Sequence, residues 1–178
     1  PRGGGAAMSA IAIRPATAAD AADCAAVYAP YVTDSCISFE YEPPTAADFA
    51  ERMAAAHAWV VAEDDGEVVG FAYASQHKAR AAYRWAADVA IYTDAARHGR
   101  GLGRRLYEAL FEELTPLGLR VLCAGVAQPN PASDALHRSL GFEEVGVYRR
   151  IGFKHGRWHD VRWWQLHIGG DGPPPANL

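Results

Sequence analysis

The stretch RHGRGLGRRL, residues 97–106, places three glycines at alternate positions among four arginines, with Gly101 and Gly103 directly ahead of leucines at helical spacing. That combination suits an anion. Glycine lets a backbone approach a ligand closely. The first N–H groups of a helix have no partner inside it, and the helix dipole adds about half a positive charge at that end. Together these make a cradle for a phosphate or pyrophosphate, and Arg97, Arg100, Arg104 and Arg105 raise the local positive potential. The same residues also describe a glycine turn with a solvated basic rim. Two familiar phosphate loops are absent: G-x-G-x-x-G fails because Leu106 stands at its last position, and G-x-x-x-x-G-K-[ST] does not occur. His155 and His159 flank Gly156 with no third ligand converging, so no metal site is expected there.

Such a loop needs a strand before it and a helix behind it. ADVAIYT supplies the strand. Leu102, Leu106, Leu110 and Leu114 fall on one helical face with Tyr107 and Phe111 beside them, and Pro116 and Gly118 end the helix. LRVLCAGV follows as a nearly continuous apolar strand, the pattern of a sheet covered on both faces. NPASDALHRSLGF reads as a short helix with a glycine stop. Upstream, AIAIRPA is a first strand, and two T-x-x-D starts at Thr17 and Thr45 open two helices, the second running to about His57. Residues 59–63 and 68–75 form a hairpin across DDG. HKARAAYRW breaks the pattern and reads as a loop. Two closing strands surround KHGRW. The order β α α β β β α β α β β defines an α/β (α+β) class with a central mixed sheet.

The bulk properties bound the function. The chain has 178 residues, enough for one domain with a core, and a formal net charge of −4, which argues against a nucleic-acid surface. No apolar run approaches the roughly 18 residues needed to cross a bilayer. Cys24, Cys36 and Cys123 are an odd number without C-x-x-C spacing, as expected of reduced thiols in a cytoplasmic protein. Residues 1–9 read as a disordered or added leader, 10–168 as a single domain, and 169–178 as a disordered Gly/Pro-rich tail.

HGRGLGRRL followed by a strand and NPASDALHRSLGF resembles the GNAT superfamily of acetyl-CoA-dependent N-acetyltransferases, whose signature is (Q/R)-x-x-G-x-(G/A) and then N-x-x-(A/S)-x-x-(F/Y/L)-Y-x-x-x-G-F. TDSCISFEYEPPT, the KARAAYRW loop and GFKHGRWHDVRWWQLHI resemble one branch more specifically, the phosphinothricin and methionine-sulfoximine N-acetyltransferases. The resemblance implies a GNAT-like, mostly antiparallel twisted sheet of about seven strands, with about four helices on both faces. It implies that His98, Gly99, Arg100, Gly101, Leu102, Gly103 and Arg104 hold the coenzyme A pyrophosphate. It implies that Ile91, Tyr92 and Thr93 pair their backbone with the pantetheine arm, and that Asn130 and Ser133 meet that arm near its sulfur end. Three positions depart from the superfamily pattern: His98 stands where Gln or Arg is usual, His137 where Tyr is common, and Asp88 where the branch carries Glu.

Acetyl transfer needs a neutral amine, a donor for the developing oxyanion and a proton for the leaving thiolate. Through the resemblance Asp88 is the candidate base, reaching the amine through a water, and His137 is a proton shuttle or, if charged, the acid. Phe39, Glu40, Lys78, Arg80, Tyr83 and Trp85 are the expected acceptor pocket: Lys78 and Arg80 for a carboxylate or phosphinate, and Tyr83 and Trp85 for its walls. The expected partners are acetyl-CoA, a small amino-acid-like acceptor and, because Trp158, Trp163 and Trp164 crowd the closing strands, a second copy of the chain. A protein N-terminal or lysine acetyltransferase and a non-catalytic coenzyme A sensor are the other classes these residues allow.

Overall fold

A computed structural model describes residues 11–98 and 101–174. Seven strands and four α-helices follow the order expected from the sequence. The strands are β1 (Ala12–Pro15), β2 (Ala58–Asp64), β3 (Glu67–Gln76), β4 (Ala86–Thr93), β5 (Val121–Ala127), β6 (Glu143–Lys154) and β7 (Arg157–His167). They form one sheet in the order β1-β2-β3-β4-β5-β7-β6, in which only the β4–β5 pair is parallel. This is the mixed, mostly antiparallel seven-stranded sheet that the resemblance implies. No helix of the described residues is long and apolar enough to cross a membrane.

Both T-x-x-D starts are capping boxes. Asp48 accepts the Thr45 amide at 2.7 Å while the Thr45 hydroxyl accepts the Asp48 amide at 3.2 Å, opening α2 (Ala46–Ala55). Asp20 does the same for Thr17 ahead of α1 (Ala21–Thr33). Helix α2 stops at Ala55, two residues short of the expected His57. Asp65 and Gly66 turn the β2–β3 hairpin with positive φ at both residues.

Two cores sandwich the sheet. The leucine face of α3 (Leu102–Leu114) packs with Ala87, Val89, Leu122, Ala124 and Val126, joined by Leu136 and Leu140 from α4 (Pro131–Ser139) and its end. Helices α1 and α2 bury Tyr28, Phe49 and Val32 against Trp59 and Phe71 on the other side. Trp164, one of the three tryptophans that crowd the closing strands, is 1% exposed and belongs to the first core.

The continuous apolar run of β5 does not mean burial on both faces. Leu122, Ala124 and Val126 face α3, but Cys123 and Gly125 point the other way and are not buried. The parallel pairing of β4 and β5 lasts only from Ala86–Val121 to Asp88–Cys123. Beyond Asp88 the two strands diverge, and this divergence positions the site.

Candidate active site

The strand edge left open by that divergence has a defined polarity. The Asp94 amide donates to the Val69 carbonyl at 2.8 Å, which extends the β3–β4 ladder by one residue. Antiparallel alternation then turns the backbone groups of Tyr92 and Ala90 toward β3, and those of Thr93, Ile91 and Val89 toward the gap. Of the three residues expected to pair with a pantetheine arm, Tyr92 is therefore spent on β3. Thr93 has its carbonyl met by the Tyr31 hydroxyl. Ile91, with the Val89 carbonyl below it, offers an open peptide edge.

Below Thr93 the chain enters α3. Gly101 is left-handed (φ 71°), which favours glycine, and no side chain caps the helix. The first bond into the helix is Arg105 N–H to the Gly101 carbonyl, so the Leu102, Gly103 and Arg104 amides have no partner in the helix. Gly103 matters for a different reason: a Cβ there would meet Leu136 Cδ2 at 3.0 Å and Ile91 Cδ1 at 3.5 Å. The gap, the helix start and α4 enclose one cleft of about 650 Å³. Every described member of the expected cofactor set lines it: Ile91, Tyr92, Thr93, His98, Gly101, Leu102, Gly103, Arg104, Asn130 and Ser133. Gly99 and Arg100 lie outside the described residues. Arg104 reaches over α4 to the Ser139 carbonyl at 2.8 Å, and Arg97 is paired with Asp64. Asn130 Oδ1 caps α4 by accepting the Ser133 amide at 3.2 Å. His98 faces the Tyr31 hydroxyl at 3.3 Å.

His137 also lines the cleft, yet it is 2% exposed. Its Nδ1 lies 2.7 Å from the Ser133 carbonyl, which can only accept, so Nδ1 carries the proton. Nε2 then has a lone pair for the Tyr107 hydroxyl 3.2 Å away. Burial pushes the imidazole pKa down, only partly opposed by the Ser133 carbonyl and the Asp134 charge. Burial thus favours the neutral ring, whose Nε2 faces the Tyr107 hydroxyl. Asp134 fixes this helix: it accepts from Trp164 Nε1 at 3.1 Å and from Gln128 at 3.2 Å, and is paired with Arg162.

Asp88 stands on the opposite sheet face, where β4 leaves β5. It is half-buried, and burial raises its carboxyl pKa, opposed first by His77 and then by the Lys78 charge. His77 Nδ1 lies 2.6 Å from Asp88 Oδ1, and with the carboxylate ionised Nδ1–H donates. The ring is 5.8 Å from Tyr83 and 6.4 Å from Trp163, measured between centroids. Neither His77 nor Tyr107 was singled out in the sequence as chemical. His77 sits one residue before the quoted KAR, and its partner is eleven residues on. Tyr107 occupies an ordinary core spacing.

The acceptor set divides. Lys78 and Tyr83 gather beside Asp88 and His77. Arg80 is exposed and opens the short turn Ala81–Tyr83. Trp85 is half-buried with the Arg84 guanidinium 4.6 Å from its ring. Glu40 does not present a free carboxylate, because Arg52 holds it at 2.8 and 3.1 Å and the Tyr28 hydroxyl at 3.0 Å. Phe39 lies so close over Gly152 that a Cβ there would fall 2.2 Å from its ring, which fixes Phe39 as packing for the last hairpin. His159 is buried with Nε2 3.1 Å from the Lys154 carbonyl, whereas His155 is exposed.

A strand pair that splays over an uncapped helix start defines a class, and comparison agrees with it. The acetyltransferase (GNAT) domain family matches residues 13–163, and the chain belongs to that family of N-acetyltransferases. Its relatives there are phosphinothricin and methionine sulfoximine N-acetyltransferases. It is 38% identical over 167 residues to phosphinothricin N-acetyltransferase of Streptomyces viridochromogenes, covering 92% of this chain and 91% of that one. It is 34% identical over 161 residues to the L-methionine sulfoximine/L-methionine sulfone acetyltransferase of Pseudomonas aeruginosa, covering 88% and 94%. The crystal structure of a phosphinothricin acetyltransferase from Sinorhizobium meliloti in complex with acetyl-CoA superposes with a TM-score of 0.89 at 35% identity, covering 94% and 95%.

Proposed function

We propose that the protein moves the acetyl group of acetyl-CoA to the free amine of a small amino-acid-like acceptor, of the phosphinothricin or methionine sulfoximine type. The observation that carries the reading is the cleft itself, which joins helix-start amides without a partner in the helix, an open peptide edge at Ile91 and the Val89 carbonyl, and the divergence beside Asp88. The pyrophosphate would sit on the Leu102, Gly103 and Arg104 amides, where the helix dipole favours negative charge. The pantetheine arm would add to β4 as a short strand at Ile91. This leads the thioester to the fork where β4 and β5 part.

The acceptor approaches from the Asp88 side of the sheet. Its nitrogen forms a bond to the thioester carbon as the carbon–sulfur bond breaks. The amine proton passes to the Asp88–His77 pair: Asp88 orients the ring through Nδ1, and Nε2 presents a lone pair. The pair gives Asp88, one methylene shorter than Glu, the reach that the sequence reading assigned to a water. The leaving thiolate is met by the Tyr107 hydroxyl, which turns its one proton from His137 Nε2 to the sulfur. Lys78 and Arg80 supply the positive charge an acceptor carboxylate or phosphinate requires. A cytoplasmic setting fits a chain whose three cysteines are all free. A second copy of the chain is part of the same reading.

The test is coenzyme A release with amino acids, phosphinothricin, methionine sulfoximine and an N-terminal peptide as acceptors. Turnover confined to the small acceptors supports the reading. Turnover with the peptide alone replaces it, and coenzyme A binding without turnover identifies a sensor.

A further inference from the structure

One side chain next to the base has no part in this chemistry. Cys123 is the register partner of Asp88 across β4–β5 and shares its sheet face. Its thiol, with one donor atom each from His77 and Asp88, forms a group whose members all lie within 4.8 Å of one another. Among the described residues no other cluster of three such donors occurs. All three are half-buried, so a hydrated ion can reach them. They arrive from three adjacent elements: His77 from the end of β3, Asp88 from β4 and Cys123 from β5.

We propose that His77, Asp88 and Cys123 form a binding site for a zinc-type divalent cation, and that its occupation switches acetyl transfer off by taking the base. The donor set chooses the metal. One sulfur, one imidazole nitrogen and one carboxylate oxygen suit tetrahedral zinc with water in the fourth position. Magnesium and calcium require oxygen donors, of which the cluster offers one residue. Charge balances as well: a dication meets one carboxylate and one thiolate and leaves the site neutral.

On binding, the His77–Asp88 hydrogen bond breaks, the Nδ1 proton moves through water to Nε2 so that Nδ1 is free to ligate, and the Cys123 thiol proton goes to solvent. Metal–nitrogen, metal–oxygen and metal–sulfur bonds form while one water stays. Zinc bonds of roughly 2.0–2.3 Å place neighbouring ligand atoms about 3.3 Å or more apart. The His77–Asp88 contact, now 2.6 Å, must therefore open, and both side chains are only half-buried, which leaves room to rotate. With both members ligated, neither can accept the amine proton. The switching half of the proposal rests on the acetyl-transfer reading; the binding half does not.

The experiment uses the untagged, chelator-treated chain. Cobalt(II) is titrated as a spectroscopic probe, zinc affinity is measured by competition with a chromophoric chelator, and acetyl transfer is followed by product chromatography with and without zinc. The expected result is one ion per chain, a thiolate-to-cobalt charge-transfer band, release of one proton, and inhibition that saturates with the same affinity. Cys123→Ala should abolish the band and weaken zinc at least about 100-fold, the upper end of what even an outer-shell loss costs. It should keep metal-free turnover and lose the inhibition. Cys123→Ser, nearly equal in size, guards against a packing effect. A band that survives in Cys123→Ala, which would place the ion on Cys24 or Cys36, overturns the site, as does the absence of any band. A zinc-loaded chain that turns over at the metal-free rate overturns the switch. If no amine is acetylated at all, the functional reading falls, while the cobalt band still decides the site.

Discussion

On the proposed function the chemistry turns on Asp88 with His77, and the surroundings of Asp88 set a pH dependence. Burial holds its carboxyl above the usual aspartate value, so the base form is lost, as pH falls, earlier than for a surface aspartate. Turnover at saturating substrate should rise with pH through that region and then level off. Asp88→Asn breaks the Asp88–His77 base pair and leaves the size, and general-base catalysis is typically worth about 10²–10⁴-fold. Steady-state assays should show a loss of that order at neutral pH with acetyl-CoA affinity unchanged, shrinking as pH approaches the amine's own pKa. Asp88→Glu should retain substantial activity. If Asp88→Asn matches the parent at neutral pH, the base is elsewhere and the site contributes by positioning. Much of this residue layer is legible in the chain itself. A loop that must approach an anion by its backbone shows itself in Gly101 and Gly103, because only glycine meets both the positive φ and the close helix contact. His77 is not legible. Its role depends on β3 and β4 lying side by side, and a lone histidine after a strand carries no mark of the carboxylate across from it.

Among the elements, α3 and α4 carry the donor site, and both have specific points of failure. Gly103→Val drives a branched side chain into Leu136 and Ile91; calorimetry should find acetyl-CoA affinity reduced by at least about tenfold, roughly 1.4 kcal/mol. Unchanged affinity would remove the cradle from the α3 start. On α4, Asp134→Ala strips one of two carboxylate partners from Arg162, which keeps Glu144 at 3.5 Å, and the acceptor from the buried Trp164 indole. Leaving a buried donor unsatisfied costs about 1–3 kcal/mol, and chemical denaturation should show it. Acid should destabilise the chain in two steps. His137 has its pKa lowered in the fold, so the unfolded chain takes up the proton first and stability declines as pH falls through the ordinary histidine value of 6.5. Asp20 is held down to about 2 by Arg14, so its contribution is present above the ordinary 3.8 and is lost between there and about 2. Asp20→Asn should flatten the second step alone. The order of strands and helices follows from periodicity and caps, as Thr45 and Asp48 illustrate. The splay of β4 from β5 does not. It is a relation between strands thirty residues apart, and the apolar run of β5 misled because its second face borders a ligand groove rather than a covering layer.

At the scale of the whole molecule the unbalanced feature is the last hairpin. Strand β6 is the edge of the sheet, and its length would leave a row of unpaired backbone groups toward solvent. Val145, Val147, Tyr148, Ile151 and Phe153 on this strand are exposed, as is Trp158 on β7 at 51%. Trp158 stacks edge-on against Phe153 with centroids 5.3 Å apart, so these rings extend one surface. The bulges at Glu144/Gly146 and Tyr148/Gly152 bend the edge, which blunts open-ended strand addition and favours a closed pair. A contiguous apolar surface of this kind marks an interface, and a self-complementary patch around a two-fold axis is the commonest way to cover one. The chain should therefore have twice its own mass by light scattering at micromolar concentration. Tyr148→Glu with Trp158→Glu would bury two charges in that interface and should give a monomer with an unchanged circular dichroism spectrum, since neither residue contributes to either core. Lys154 anchors this hairpin to the other half of the molecule by donating to the Val32 and Ser38 carbonyls at 2.6 and 2.7 Å. Residues 33–41 follow α1 beneath the same hairpin, where the Tyr41 hydroxyl donates to the Phe153 carbonyl at 2.6 Å. Pairing would thus stiffen the segment that carries Glu40 and its Arg52 clamp. The monomeric variant should accordingly show a weakened KM for the acceptor, with acetyl-CoA affinity and the pH profile of turnover preserved. A parent chain that stays monomeric at every concentration tested, with the hairpin protected from hydrogen exchange, would mean that the patch is stable in water without a partner.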